Sequence, residues 1–422
     1  MCEVGYSRTG TFECSTCPSR ATNAIRLFFI FLAGLLVIFY LVRSTLNGAK
    51  DDKNVTSIYL KILMNHLQLI LLTASFNFKW PAQVEELLAA PEPISQMSSQ
   101  IFSIDCFIDT RDMNSTSETD DSKFAIYYIK LMMMAVLPFL ILLASFLIWL
   151  LIVRITKQMH NLSARVVASF IIVLFLVHPD IVKYMISIFN CYNVDGEYRV
   201  FDNMSIVCYQ GNFNLYAFGV GLPGILIWGL GIPLFIYLLL KQVRTKLHLL
   251  ATKEKYGFLY RGYKKQFYYW ESVIMYRKFI LVFIQVFVQA YGVITQALVV
   301  YMLLIIFLSV NTKKKPFVSL ALNDLETYSL MSSMITIYCG LFFISDTQGE
   351  SSSEASSQLV LSEQVKLVFF FVILLVNLIF FCYWLYKMYQ EMKLVFMIKF
   401  STLFAKFCIC FDSKKAEQQR KQ

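Results

Sequence analysis

The fold is decided by the stretch from Tyr256 to Val310, which reads YGFLYRGYKKQFYYWESVIMYRKFILVFIQVFVQAYGVITQALVVYMLLIIFLSV. It begins as a basic, aromatic segment and continues as a long apolar run that still carries Glu271, Arg277 and Lys278. Charged side chains are costly in hydrocarbon, so a membrane span that keeps them gives up stability for something besides anchorage. This stretch is therefore informative about both topology and function.

The apolar run from Phe279 to Val310 is long enough for one tilted span or for two spans joined by a tight turn. A single span would place Lys313 to Lys315 outside the cell, although Lys and Arg collect in short cytoplasmic loops. Two spans with a turn at Tyr291-Gly292 keep those lysines inside. Because two spans need about 40 residues, the first must begin near Phe267 and draw Arg277 and Lys278 into the inner leaflet.

The composition of the whole chain indicates a protein that crosses the bilayer several times. Of its 422 residues, 57% are hydrophobic and 16% are charged, unlike an ordinary soluble domain. Nine apolar runs reach the length of a span, so we predict an all-α, polytopic transmembrane helix bundle of about nine spans. They cover approximately Ile25 to Val42, Ile58 to Phe76, Phe124 to Val153, Val166 to Ile188, Leu215 to Leu240, Phe267 to Gln289, Val293 to Val310, Leu325 to Ile344 and Leu367 to Tyr389.

The charges between these runs alternate in sign and predict the orientation. Basic segments, which we place in the cytoplasm, are Arg154 to Arg165, Lys241 to Lys265, Lys313 to Lys315 and Lys406 to Lys421. Acidic segments, which we place outside, surround Glu85 and Glu86, Asp105 to Asp121, Asp195 to Asp202 and Asp346 to Glu363. With nine spans, the N-terminus is predicted outside and the C-terminus in the cytoplasm.

Three regions follow from this pattern. Residues 1–20 carry Cys2, Cys14 and Cys17 in a C-x11-C-x2-C spacing that resembles the last repeat of a growth-factor-receptor-like, cysteine-rich ectodomain. We expect either a truncated N-terminus, which we favour, or the loss of a larger ectodomain. Residues 21–390 form the membrane module, and 391–422 form a basic cytoplasmic tail. The module has outer loops 77–123, 190–214 and 345–366 and a cytoplasmic linker, 241–266.

The outer loops contain features that suit an extracellular location. Sequons at Asn114 and Asn203 are candidate glycosylation sites there. Outer-loop cysteines can form disulfides, and we predict the pair Cys191 and Cys208, which closes a short polar loop between the fourth and fifth spans. Cys106 also lies outside, without an assigned partner.

The charges of the sixth span suggest a coupling element. Glu271 and Lys278 lie on nearly the same helical face but about 10 Å apart, so each needs a partner on another helix. One interpretation is an intramembrane charge network that controls packing. The other is that Arg277 and Lys278 snorkel to the headgroups beside an interfacial aromatic belt, Tyr268 to Trp270. The coupling or gating candidates are Tyr256, Gly257, Trp270, Glu271, Arg277, Lys278, Asp324 and Glu326. For Asp324 and Glu326, which lie near the end of a span, the separate alternative is a simple interfacial position.

Polar residues and helix breakers in other spans suggest a path through the bundle. Ionisable groups inside membranes usually face a bundle interior or a water-filled cavity, and broken helices often line ion paths. Small residues also allow close helix packing without lining a path, which is the alternative. The pore-path candidates are His178, Asp180, Pro223, Pro233 and Gln285. For His66 and His178, we expect hydrogen bonds between helices rather than a metal site.

Other classes of function are not favoured. The net charge of +10 is scattered over short loops, which argues against nucleic-acid binding. The sequence has no G-x-S-x-G elbow, no H-E-x-x-H pair and no phosphate-binding glycine loop, so we expect no enzyme and no cofactor.

Several motifs are informative as a group. They are Phe78-Lys79-Trp80-Pro81, Cys191 to Cys208 around Asp195-Gly196, Gly231-Ile232-Pro233, Tyr256 to Glu271, Arg277-Lys278, and KPFVSLALNDLETYSL from Lys315 to Leu330. Together they resemble the C-terminal multi-span module of large, ciliate-type protist surface proteins with cysteine-rich ectodomains. The resemblance covers about Asn77 to Leu330. That module is distantly similar to transient-receptor-potential-like channels.

The resemblance and the polar spans lead to one functional expectation and one alternative. We expect a cation channel or channel-like sensor of the plasma membrane, in contact with lipids and inorganic cations and assembled as a homo-oligomer. The alternative is a non-conducting receptor or adhesion anchor for a cysteine-rich ectodomain. Neither interpretation identifies an ion or ligand.

Overall fold

The computed structural model describes residues 6–8, 14–16, 20–50, 55–76, 78, 80, 84, 87–88, 121–156, 162–344 and 363–404. Most of these residues are helical. The helices are α1 (Arg20–Lys50), α2 (Thr56–Ala74), α3 (Asp121–Thr156), α4 (Leu162–Ser187), α5 (Asn212–Gln242), α6 (Leu250–Tyr260), α7 (Trp270–Phe287), α8 (Val293–Lys314), α9 (Leu320–Ile344) and α10 (Glu363–Phe404).

Within the described residues, eight helices are long and apolar enough to cross a membrane. They are α2 to α5 and α7 to α10, and they coincide with the second to ninth predicted spans. The first predicted span, Ile25 to Val42, lies within α1, whose apolar side chains, where the structure describes them between Phe28 and Tyr40, are largely exposed. These helices form an all-α bundle with the features of a membrane protein.

The long apolar run divides into two helices, as predicted. Helix α7 continues as a short 3₁₀ turn, Val288–Tyr291, and α8 begins at Val293. Gly292 between them has a φ of 94°, in the left-handed region where glycine carries no steric penalty. This glycine therefore lets the chain reverse direction between the two spans.

Helix α2 lies at the centre of the bundle, where it packs against α1, α7, α9 and α10. Within its most apolar stretch, 78% of α2 is buried inside the protein, compared with 11% of the corresponding stretch of α10. Helices α3 and α8 are also mostly exposed, and they present apolar side chains outward. An outer surface of this kind suits a lipid environment, because lipid tails are as apolar as the side chains that face them.

A small antiparallel sheet connects α4 to α5. Its strands are β3 (Cys191–Val194), β4 (Glu197–Val200) and β5 (Asn203–Val207), while β1 (Tyr6–Arg8) pairs with β2 (Cys14–Thr16) near the N-terminus. Asp195 and Gly196 both have positive φ, which suits a two-residue hairpin turn. The predicted disulfide between Cys191 and Cys208 is present, with a Cα separation of 6.4 Å.

Two predicted regions differ from simple loops. The segment predicted as a cytoplasmic linker, 241–266, contains α6, which packs against α1 and α4 because Phe258 and Leu259 supply an apolar face. The first part of the predicted basic tail, from residue 391, is helical, since α10 continues to Phe404 with no glycine or proline to interrupt it. Asn114, Cys106 and the rest of the tail lie outside the described residues.

Candidate functional site: a buried charge network

The first half of α7 contributes an acid that lies completely inside the protein. The Glu271 side chain is 0% exposed, and its Oε2 lies 2.6 Å from Lys61 Nζ of α2. The Tyr263 hydroxyl donates to the same oxygen at 2.9 Å, and Lys61 Nζ also donates to the Phe258 carbonyl at 3.1 Å. The pair therefore joins α2, α6 and α7 to the segment that follows α6.

Aromatic rings complete the surroundings of Lys61. Its Nζ lies 4.7 Å from the ring centre of Tyr263 and 5.3 Å from that of Phe258, which are cation–π distances. A buried ammonium needs such compensation, because removing it from water costs several kcal/mol. The prediction that Glu271 pairs with another helix is confirmed. Lys61 is not among the residues predicted from the sequence, although it is the only Lys, Arg, Asp or Glu between Ile58 and Phe76.

Tyr263 is a stable hydrogen-bond donor in this cluster. Burial raises the pKa of its hydroxyl well above the ordinary value, and the neighbouring Glu271 raises it further. The hydroxyl therefore stays protonated and donates a hydrogen bond to the carboxylate. Glu271 Oε1 has no hydrogen-bond partner among the described residues, so the acid retains one free acceptor.

A second buried ion pair links α7 to α9. Arg277 Nη1 lies 2.8 Å from Glu326 Oε1, and both side chains are buried. The Arg277 guanidinium also lies 5.8 Å from the Phe307 ring of α8. Snorkelling is therefore wrong for Arg277, because Glu326 of α9 supplies its counter-charge inside the bundle. Asp324, by contrast, is exposed.

Lys278 is the third buried cation of the network. It is 7% exposed, its Nζ has no hydrogen-bond partner among the described residues, and it lies 3.8 Å from the Phe175 ring centre of α4. Snorkelling is wrong here too, and the expected partner on another helix is an aromatic ring instead of a charge. Trp270 and Tyr268 are buried rather than forming an interfacial belt.

Two basic loops meet beside the network. The Lys264 amide donates to the Pro316 carbonyl at 2.8 Å, and the Val318 amide donates to the Gly262 carbonyl at 2.9 Å. Asn323 fixes the second loop, because its side chain bonds both the amide and the carbonyl of Phe317. The segment that carries Tyr263 is thus joined to the start of α9.

The remaining coupling candidates lie on the same side of the bundle. Gly257 is buried in α6, where an added Cβ would lie 3.0 Å from Arg261 Cδ, so the site has little room for a side chain. Tyr256 is half-buried and packs against the cluster of Leu240 and Met275. These residues support the position of α6 but do not contact the ion pairs.

Of the pore-path candidates, Asp180 and Gln285 line a shared cavity of about 40 Å³, bounded by α2, α4 and α7. His178 instead donates from Nε2 to the Trp228 carbonyl of α5 at 2.9 Å. Pro223 and Pro233 lie in α5, which contains two π-helical segments, Ala217–Gly221 and Ile225–Gly231, and neither proline lines the cavity. The structure therefore does not bring these five residues together.

The two histidines bond between helices, as predicted. His66 Nδ1 lies 3.0 Å from the Ser329 hydroxyl of α9, and its ring packs against Phe380 of α10. The Trp228 carbonyl, which accepts the hydrogen bond from His178, belongs to a π-helical segment of α5, where backbone hydrogen bonding departs from the α-helical pattern. Both histidines therefore fasten helices together.

Comparison with known proteins gives one distant relative. The chain is 25% identical over 418 residues to cysteine repeat modular protein A of Toxoplasma gondii, a match that covers 80% of this chain. The chain spans only 13% of that protein's length. No protein-family model matches the chain, and no solved structure matches it. The relative agrees with the expected cysteine-rich surface-protein resemblance, while likeness to a channel family is not shown.

Proposed function

We propose that this chain is the multi-span membrane module of a larger cysteine-rich surface protein, and that it acts as a sensor that passes conformational changes to its cytoplasmic linker. The observation that carries the proposal is the buried Glu271, which holds Lys61 of α2 and Tyr263 of the linker at the same oxygen. One carboxylate thus connects a central span to a predicted cytoplasmic segment.

The orientation in this proposal places the N-terminus outside, the C-terminus in the cytoplasm and the protein in the plasma membrane. Two observations support it. The loops around Lys264 and Pro316, both assigned to the cytoplasm by their charge, are in contact. The disulfide between Cys191 and Cys208 lies in a predicted outer loop, and disulfides persist in oxidising environments.

The network also offers alternative contacts, which a switch requires. Glu271 Oε1, Glu326 Oε2 and Lys278 Nζ have no hydrogen-bond partner among the described residues. A small movement of α7 can therefore exchange one charged contact for another without leaving the interior. Buried ion pairs add little net stability over apolar packing, so we assign the pair of Lys61 and Glu271 to switching.

The sensor proposal can be tested by hydrogen exchange on the chain in lipid nanodiscs. Tyr263→Phe removes the hydroxyl bond to Glu271 and keeps the ring. We expect faster exchange in the linker, 256–266, in the loop 315–319, and in the outer sheet around Cys191 to Val207. The last change is the essential one, because it lies across the bundle from the substitution.

Tyr260→Phe is the matched control, because the Tyr260 hydroxyl donates to the Leu247 carbonyl at 2.7 Å, outside the ion pairs. Its effect should stay within the residues near Leu247. If Tyr263→Phe also changes exchange only within a few residues of the substitution, the sensor proposal is wrong.

A cation channel is the second candidate, and the interrupted helix α5 is the observation that favours it. Its two π-helical segments flank Pro223, and irregular helices often line ion paths. The cavity within one chain is a poor cation path, because Arg277, Lys278 and Lys183 line it with Asp180 as the acid. A cation path would therefore lie between subunits.

Recording from the purified chain in planar bilayers distinguishes the two candidates. The sensor proposal predicts no current under voltage, membrane tension or calcium. A cation-selective current that changes with Pro223→Ala would favour the channel and overturn the non-conducting assignment.

A further inference from the structure

The cavity between α2, α4 and α7 is polar and lies beside the charge network. Its volume is about 40 Å³, and its lining residues are Asn65, Gln68, Leu69, Leu72, Pro179, Asp180, Lys183, Arg277, Lys278, Leu281, Val282 and Gln285. On each helix, these residues recur at spacings of one, three or four, which place them on a single face. Three helices therefore turn one face each toward the same space.

Several lining groups are buried without a hydrogen-bond partner. Lys278 Nζ is one, and both side-chain polar atoms of Asn65 and the Gln68 oxygen are the others. All three residues are more than nine-tenths buried. Buried polar atoms without partners cost about 1–3 kcal/mol each, so native proteins rarely leave several together without an ion or water to satisfy them.

The charges of the wall favour an anion. Lys183, Arg277 and Lys278 contribute three cations, while Asp180 contributes one carboxylate. Glu326 compensates Arg277 from α9, outside the wall, and Lys278 has no carboxylate within salt-bridge distance among the described residues. At low dielectric constant, an uncompensated ammonium attracts a negative ion strongly.

We propose that this cavity binds one small monovalent inorganic anion, with chloride as the natural occupant. Lys278 Nζ provides the charge and the Asn65 amide donates a hydrogen bond. The volume holds about three water-sized particles, which suits a partly hydrated halide and is far below the 300 Å³ of organic ligand sites. This inference goes beyond the sensor proposal and does not depend on it.

Thermal unfolding of the chain in nanodiscs tests the site. Chloride at 100 mM, compared with gluconate at equal ionic strength, should raise the Tm by about 2 °C or more, because a ligand of the folded state stabilises it. In Lys278→Met, chloride should have no effect, and the Tm in gluconate should exceed that of the wild type. Lys241→Met, at an exposed lysine of α5, is the control and should keep the full chloride shift.

A direct count of bound ions tests the site without relying on the unfolding behaviour of the variant. Bromide in place of chloride should give one bound ion per wild-type chain by X-ray absorption or anomalous scattering, and none in Lys278→Met. Asn65→Leu keeps the ammonium and removes one donor, so the halide concentration at half-saturation should rise about tenfold. Equal Tm values in chloride and gluconate, or a cavity that contains water only, would overturn the proposal.

Discussion

The molecule contains two ion pairs of the same length in opposite surroundings. Lys61 and Glu271 lie 2.6 Å apart inside the bundle, with side chains 1% and 0% exposed. Arg199 and Glu197 lie 2.6 Å apart on the sheet between α4 and α5, with side chains 32% and 54% exposed. The distance is equal, but the solvent around the charges is not.

This difference shows that solvent, and not geometry, decides what each pair does. Water screens the exposed pair and can replace either partner, so its contribution to stability is small. Neither partner of the buried pair can be lost without leaving an isolated charge in the interior. The buried pair therefore holds α2, α6 and α7 together, whereas the exposed pair contributes little to the stability of its hairpin.

The largest expected effect comes from removing the charge of Glu271. Glu271→Gln keeps the shape of the side chain but leaves Lys61 without a counter-charge, which should cost about 3–5 kcal/mol. Thermal unfolding in nanodiscs should show a clearly lower Tm. Glu197→Gln is the matched control, and equal Tm shifts in the two variants would contradict the contrast between the regions.

A double-mutant cycle at Arg277 and Glu326 should give the next largest effect. Arg277→Gln and Glu326→Gln should each cost about 3 kcal/mol, because each leaves one buried charge alone. The double variant should cost clearly less than the two single costs added together. Additive costs would mean that the two side chains do not interact.

The disulfide of the outer sheet should have a more local effect. Replacing Cys191 and Cys208 together with serine opens a bridge between residues 17 apart in sequence, which should cost about 3 kcal/mol in the chain-entropy estimate. Because the helices remain packed, we expect faster hydrogen exchange within the strands from Cys191 to Val207. Because coupling between two sites is reciprocal, the sensor proposal also expects a smaller increase in the linker, 256–266. Unchanged exchange in the linker would contradict that coupling.

The smallest effect should come from the exposed pair itself. Arg199→Gln removes the contact with Glu197 and a hydrogen bond to the Met204 carbonyl, and should cost less than about 1 kcal/mol. The cost of the substitution, measured by unfolding, should be much smaller at 1 M salt than at low salt, because salt screens exposed charges. A cost that persists at high salt would place this pair with the buried ones.

The helical architecture could be predicted because its signals are local. Hydropathy located the spans, Gly292 marked the turn between α7 and α8, and the position of Cys191 and Cys208 in one outer loop suggested their bridge. The first of these signals is a sum over about 20 residues, so single errors average out.

The charge network could be predicted only in part, because its partners are far apart in sequence. Lys61 and Glu271 are separated by 210 positions, and only helix packing brings them together. Snorkelling was a fair expectation for Arg277 from its distance to the end of the span, but Glu326 of α9 provided a nearer counter-charge. The lone charge of the second span was the signal that would have identified Lys61.

The uninterrupted length of α10 has a mechanical consequence. Its 42 residues extend about 60 Å, roughly twice the thickness of the hydrocarbon layer. The Trp384 indole donates to the Tyr59 carbonyl of α2 at 2.8 Å and gives this rod a pivot near the charge network. Phe404 lies about 30 Å beyond that pivot, so a tilt of about 10° would displace it by about 5 Å. A small repacking around α2 that tilted α10 would therefore produce a larger displacement at the C-terminal end of this helix.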